Sequence, residues 1–292
     1  MRRLTLFLLA ALLSACAVTP PPPTPPVPPP TPKPPLKIAL VLGGGAARGF
    51  AHIGVIKALE AQGIEPSMVV GTSAGSVVGA LYASGMSGFE LQQLALWMQE
   101  DMVADWTLPN RGVLKGEALQ DFINQKVRNL PIQKLPKPLG VVATDLQSGE
   151  MVLFRQGNTG MAVRASSAVP GVFQPVNING RDYVDGGLTS PVPAQAARTM
   201  GADFVIAVDI SNVNRRDKLA STMDVLLQTF AIMGHAISHY QLEDADVVIR
   251  PRTSTVSSTD FADRNQAILE GEKAAAAIMP ELKAQLARAR QR

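Results

Sequence analysis

Apolar positions along this chain follow two alternating rhythms: short unbroken aliphatic runs, and longer stretches with apolar residues three or four apart. An unbroken run suits a strand covered on both faces, as in a central parallel sheet; the wider spacing suits a helix with one buried side. Residues 37–42 read as the first such strand, and 50–62 as a helix that turns Ile53, Ile56 and Leu59 inward and stops at Gly63. Residues 68–70 form a second strand, and the segment after Ser73 is a helix kept slim by Gly75, Gly79, Ala80 and Ala83 and closed by Gly85. Helices are predicted at 87–100, with Leu91, Leu94 and Trp97 on one side, and at 116–128, with Leu119, Phe122, Ile123 and Val127 inward. Between them 105–115, containing Trp106, Pro109 and Gly112, reads as an irregular rim. Strands follow at 139–144, 151–154, 181–184, 204–208 and 247–249, with helices at 161–169, at 221–242 and from Asp263 onward, the last interrupted at Pro280. Strands alternating with helices, without an internal repeat, predict one α/β domain with a mostly parallel central sheet.

The N-terminal region departs from this pattern. Arg2 and Arg3 precede an apolar stretch at 4–13 and then Ser14-Ala15-Cys16, the layout of a signal peptide. The stretch is half the roughly twenty residues that a bilayer span requires. Leu13-Ser14-Ala15-Cys16 resembles the lipobox of bacterial lipoproteins, which implies cleavage before Cys16, lipidation of its thiol and, with Ala17 following, sorting to the outer membrane of a Gram-negative cell. Residues 20–35 hold twelve prolines in sixteen positions. Such a segment extends as a polyproline spacer of about 50 Å rather than pairing in a sheet. The predicted division is a signal peptide at 1–15, an anchor and linker at 16–35 and a folded domain at 36–292.

Charge adds an exclusion. Without Arg2 and Arg3 the chain has 25 basic against 24 acidic side chains, and no basic run is interleaved with aromatics, so nothing points to nucleic acid. Cys16 is the single cysteine, which leaves no internal disulfide and no multi-cysteine metal site.

The candidate chemistry gathers at three glycine-rich turns. Val69-Val70-Gly71-Thr72-Ser73-Ala74-Gly75 is a short β-branched run leading into Gly-x-Ser-x-Gly, the pattern of a nucleophile elbow, in which the serine hydroxyl meets a cleft at a helix N-terminus. Gly43-Gly44-Gly45-Ala46-Ala47-Arg48-Gly49 follows the first strand. Its spacing fits neither a dinucleotide fingerprint nor a P-loop, but a row of backbone N–H groups beside one cation meets the requirements of an oxyanion hole. A serine needs a base. Of the three histidines, His52 suits a packing or hydrogen-bonding role, while His235 and His239 lie one turn apart on a helix face without the Glu of a zinc motif. Asp185, in Val184-Asp185-Gly186-Gly187, remains as base if burial raises its low intrinsic affinity for protons. A Ser-His-Asp triad using His235, and a lipid- or envelope-binding lipoprotein without catalysis, stay open as alternatives.

The three turns, in this order and spacing and together with Arg164-Ala165-Ser166-Ser167-Ala168-Val169-Pro170, closely resemble the patatin-like phospholipase family over residues 36–210. The resemblance implies a three-layer α/β/α sandwich and a Ser-Asp dyad with Ser73 as nucleophile and Asp185 as base. It also implies an oxyanion hole on Gly43, Gly44, Gly45 and neighbours with Arg48 close by, and a supporting role for Gly71, Gly75, Gly186 and Gly187. The implied reaction is hydrolysis of fatty acyl esters of phospholipids or lysophospholipids, with no metal or other cofactor.

Overall fold

The computed structural model describes residues 34–99, 112–211, 221–253 and 261–291. The expected signal peptide, Cys16, the linker up to residue 33 and 105–111 of the expected rim lie outside the described residues. Pro35–Arg292 is one compact unit.

The strands are β1 (Ile38–Leu42), β2 (Met68–Thr72), β3 (Gly112–Leu114), β4 (Leu139–Asp145), β5 (Met151–Phe154), β6 (Gly171–Phe173), β7 (Val176–Ile178), β8 (Arg181–Asp185), β9 (Phe204–Val208) and β10 (Val247–Ile249). The α-helices are α1 (Phe50–Glu60), α2 (Ala74–Ala83), α3 (Gly88–Trp97), α4 (Glu117–Lys126), α5 (Thr159–Ser166), α6 (Ala194–Thr199), α7 (Thr222–Gln241) and α8 (Arg264–Gln291). The main sheet runs β10-β9-β1-β2-β4-β8-β7, with β5 also on β4, and β3 pairs with β6 apart from it. From β10 to β4 the pairing is parallel, while β5, β8 and β7 are antiparallel to their neighbours.

Alternate residues of the buried strands feed two cores. Leu40, Leu42, Val69, Val141 and Ile206 pack under α1, α2, α3, α4 and α8. Ala39, Val41, Val70, Val205 and Ala207 pack under α6. Side chains of a strand point alternately to opposite faces, so an unbroken aliphatic run is what a sheet with helices on both sides needs. This is the expected three-layer α/β/α sandwich.

Two features of the sheet create a site. The strand order reverses at β1, which has β2 on one side and β9 on the other; such switch points open a crevice at the carboxyl ends of strands. In addition β4 changes partner along its length. Residues 139–142 pair with β2, whereas 143–145 pair with β8. Thr72 sits opposite Val142, and Asp185 sits opposite Ala143, one step further on. The ends of β2 and β8 therefore meet at β4.

Several expectations need correction. Helix α8 runs through Pro280, because Ala275, Met279, Leu282 and Leu286 keep one face buried on both sides of the proline. Trp97 is 82% exposed rather than inward, and Leu91 and Ala95 hold α3 to the core instead. Helix α5 begins earlier than expected, capped by the Asn158 side chain on the Met161 N–H, and ends at Ser166. Strands β3, β6 and β7 and helix α6 were not foreseen, each being six residues or fewer.

Candidate active site

Ser73 lies between β2 and α2 with φ 52° and ψ −123°. A side chain rarely adopts a positive φ, and holding one there costs about 1–3 kcal/mol, so the surroundings must impose it. A Cβ on Gly71 would collide with the backbone of Gly75, and a Cβ on Gly75 with the carbonyl of Leu42. Only glycine permits strand and helix to cross this closely. The Ser73 N–H donates to Ser166 Oγ at 2.8 Å, and Ser166 Oγ in turn donates to the Val142 carbonyl at 2.5 Å. Ser76 Oγ donates to the Ser73 carbonyl at 2.7 Å. Both peptide groups of the strained residue are thus held.

Asp185 ends β8 and is buried. Its Oδ1 accepts the Gly187 N–H at 2.7 Å, and Thr144 Oγ1 donates to its carbonyl at 2.9 Å. Gly186 fits directly against Val142 and Thr72, where a Cβ would strike the Val142 carbonyl, so the turn brings the carboxylate to Ser73. Oδ2 is buried without a hydrogen bond of ordinary length, while the Ser73 hydroxyl lies near enough to favour the ionised carboxylate. Burial dominates, and it pushes Asp185 up to about 6 against the Ser73 and Gly187 donors that pull it down.

The glycine loop divides into spent and unspent donors. The Gly43 N–H donates to the Val208 carbonyl at 3.0 Å and the Gly44 N–H to the Pro191 carbonyl at 2.9 Å. These two amides hold the loop to the fold, which corrects their expected place as oxyanion donors. Gly44 still matters for space, since a Cβ there would stand 3.4 Å from Ser73 Cβ. The Gly45 carbonyl accepts both the Arg48 N–H at 3.2 Å and Arg48 Nε at 3.1 Å. In a trans peptide the N–H points opposite to the carbonyl, so Arg48 orients the Ala46 N–H away from itself. Among the described residues the Gly45 and Ala46 N–H groups have no acceptor, and they are the donors the loop can offer to an oxyanion. Through the Gly45 carbonyl Arg48 clamps the loop.

His52 is fully buried, and its Nε2 donates to the Gly43 carbonyl at 2.8 Å. A carbonyl only accepts, so the proton sits on Nε2 and Nδ1 is bare; burial lowers the imidazole to about 4 and keeps it neutral. His235 is exposed, with Nδ1 3.5 Å from Ser211 Oγ, and Ser211 Oγ is held by Asp209. His239 is exposed and packs edge-on against Tyr240. The Asp185 carboxylate faces the Gly187 N–H and the Ser73 hydroxyl, and among the described residues it holds no imidazole. The residues that sequence reasoning missed are Ser166 and Pro191, whose partners lie 93 and 147 positions away. Ser166 stands inside Arg164–Pro170, a stretch the sequence had already singled out.

Residues 40–198 match the patatin-like phospholipase family. The chain belongs to that family. An uncharacterized NTE family protein of Mycobacterium tuberculosis is 38% identical over 181 residues, covering 60% of this chain and 49% of that protein. The human patatin-like phospholipase domain-containing protein 6 is 38% identical over 188 residues, 62% of this chain and 14% of that protein. The chain thus spans about half the length of the first relatives and a small part of the second. Among solved structures, VipD from Legionella pneumophila superimposes with a TM-score of 0.61 at 16% identity, covering 85% of this chain and 67% of that one. At that identity the likeness concerns the fold alone. The patatin-like match ends before α7 and α8, and both the elbow and Asp185 fall within it.

Proposed function

We propose that this patatin-like protein is a serine acyl hydrolase that cleaves fatty acyl esters of membrane phospholipids or lysophospholipids through a Ser73–Asp185 dyad. The observation that carries this reading is the meeting of a strained serine and a buried carboxylate where β2 and β8 end against β4. In the first step Asp185 accepts the Ser73 proton as Ser73 Oγ bonds to the acyl carbon, and the carbonyl electron pair moves onto the oxyanion at Gly45 and Ala46. Collapse of that intermediate expels the alcohol, which takes the proton from Asp185. Water then attacks the acyl-Ser73 ester, giving its proton to the same carboxylate, and the free acid leaves as Ser73 regains its hydrogen. An aspartate at its usual acidity is a poor base; one raised to about 6 is a better base and is still ionised at neutral pH.

We further propose that Cys16 carries a lipid anchor in the outer membrane of a Gram-negative cell and that the proline run spaces the domain from it. Growth with a labelled fatty acid tests this, with label retained by the parent and lost in Cys16→Ser. For the dyad, hydrolysis of nitrophenyl esters and of a lysophospholipid by the parent is compared with Ser73→Ala and Asp185→Asn. Each variant is expected to lose at least about 1,000-fold in kcat/KM while keeping the parent's circular dichroism. Retained turnover in either variant assigns its role elsewhere.

A further inference from the structure

Helix α7 is built unlike the others. Of its twenty residues only Ser238 is buried. Its inward side packs beside the turn that follows Asp185: Met223 Cε and Leu226 Cδ2 approach Gly171, and Gly234 faces the Gly187 carbonyl and Pro191. Gln241 pins its last turn by donating to the Thr189 carbonyl and accepting the Val192 N–H. Its outward side is also apolar. Val225, Ile232, Met233 and Tyr240, with Thr229 and Ala236 between them, recur at helical spacing on one arc, and Leu226 borders it; exposure runs from 37% at Leu226 to 72% at Tyr240. From Val225 to Tyr240 there is no Asp, Glu, Lys or Arg.

We infer that α7 is the face on which the enzyme settles on a phospholipid bilayer, its outward stripe entering the headgroup and upper acyl region while its inward side lines the approach to Ser73. This rests on the acyl hydrolase reading above. A charged partner finds no complement on an uncharged stripe. A helix of this length is about 30 Å long and 10 Å wide, so its face offers roughly 300 Å², well below the about 800 Å² per partner of a stable protein interface. A bilayer sets no such minimum for one interfacial helix. Among the described residues no helix is long and apolar enough to cross a membrane, so α7 lies in the surface rather than through it. Seventeen residues lie between Cys16 and Pro34, which limits the reach of a chain anchored at Cys16 to about 60 Å.

The test uses the compact unit Pro35–Arg292 carrying Ser73→Ala, so that no hydrolysis is needed and failure of the catalytic reading leaves the result interpretable. Partition onto phosphatidylcholine vesicles is measured by flotation for this protein and for the same protein with Ile232→Asp and Met233→Asp. Both positions are exposed, and unchanged melting temperature checks the fold. The inference predicts at least a tenfold loss of partition in the double variant and no change with salt. Equal partition of the two proteins overturns it. So does partition that requires anionic lipid and disappears in salt, or a dimer at micromolar concentration that the double variant breaks into monomers, which would make the occupant a second copy.

Discussion

Ser73 and Asp185 each occupy a costly state, one a strained backbone and the other a buried acid, and each state has a measurable signature. Asp185 holds its proton to about 6 in the folded protein against 3.8 for the free side chain. The stability this contributes is fully present below about pH 4 and is lost as pH rises through about 6, because the ionised form is the one that burial disfavours. Asp185→Asn does not lose it, so the variant's stability relative to the parent is expected to rise between pH 4 and pH 8 by on the order of 2 kcal/mol in denaturant melts. His52 is common to both proteins and cancels in that difference. In the parent, kcat/KM for a dispersed short-chain ester rises with pH to a plateau above about 6; a profile flat from pH 4 to 8 assigns the base to another group. The serine and the acid were legible because glycines mark both turns. Ser166 was not, since its bond to Ser73 depends on α5 ending beside β2, which no local pattern encodes.

Helix α1 crosses α8 by mutual glycine contact. A Cβ on Gly54 would enter the Ile268 carbonyl, and one on Gly271 the Ala51 carbonyl. Backbone cannot yield as a flexible side chain does, so Gly271→Ala is expected to cost at least about 2 kcal/mol, measured by urea unfolding, and to slow catalysis little in the protein that remains folded. Pro280 gives the opposite case. It is exposed, lacks the N–H of its turn and is carried by packing on either side, so Pro280→Ala is expected to stabilise the chain by about 1–3 kcal/mol. The interruption expected from the sequence followed local propensity, which the burial of Ala275, Met279, Leu282 and Leu286 overrides. Trp97 failed in the reverse direction: helical spacing put it with Leu91 and Leu94, but α3 is at its last residue there and the core does not extend beneath it.

At the scale of the molecule, the parallel half of the sheet was readable from unbroken aliphatic runs, since each of β1, β2, β4 and β9 is buried throughout. The antiparallel end was partly hidden. β8 was foreseen as a strand, but its pairing with the far end of β4 was not, and that pairing puts Asp185 beside Ser73 although 112 positions separate them. The motifs named the participants, and the sheet topology supplied their meeting. Covalent labelling by a fluorophosphonate, followed by mass spectrometry of the peptides, tests that meeting most directly. The account predicts a single adduct on the peptide carrying Ser73, formed at the parent rate when His235 and His239 are both replaced by alanine and slowed at least about 100-fold by Asp185→Asn. Labelling at another serine, full-rate labelling of Asp185→Asn, or dependence on His235 would contradict the dyad.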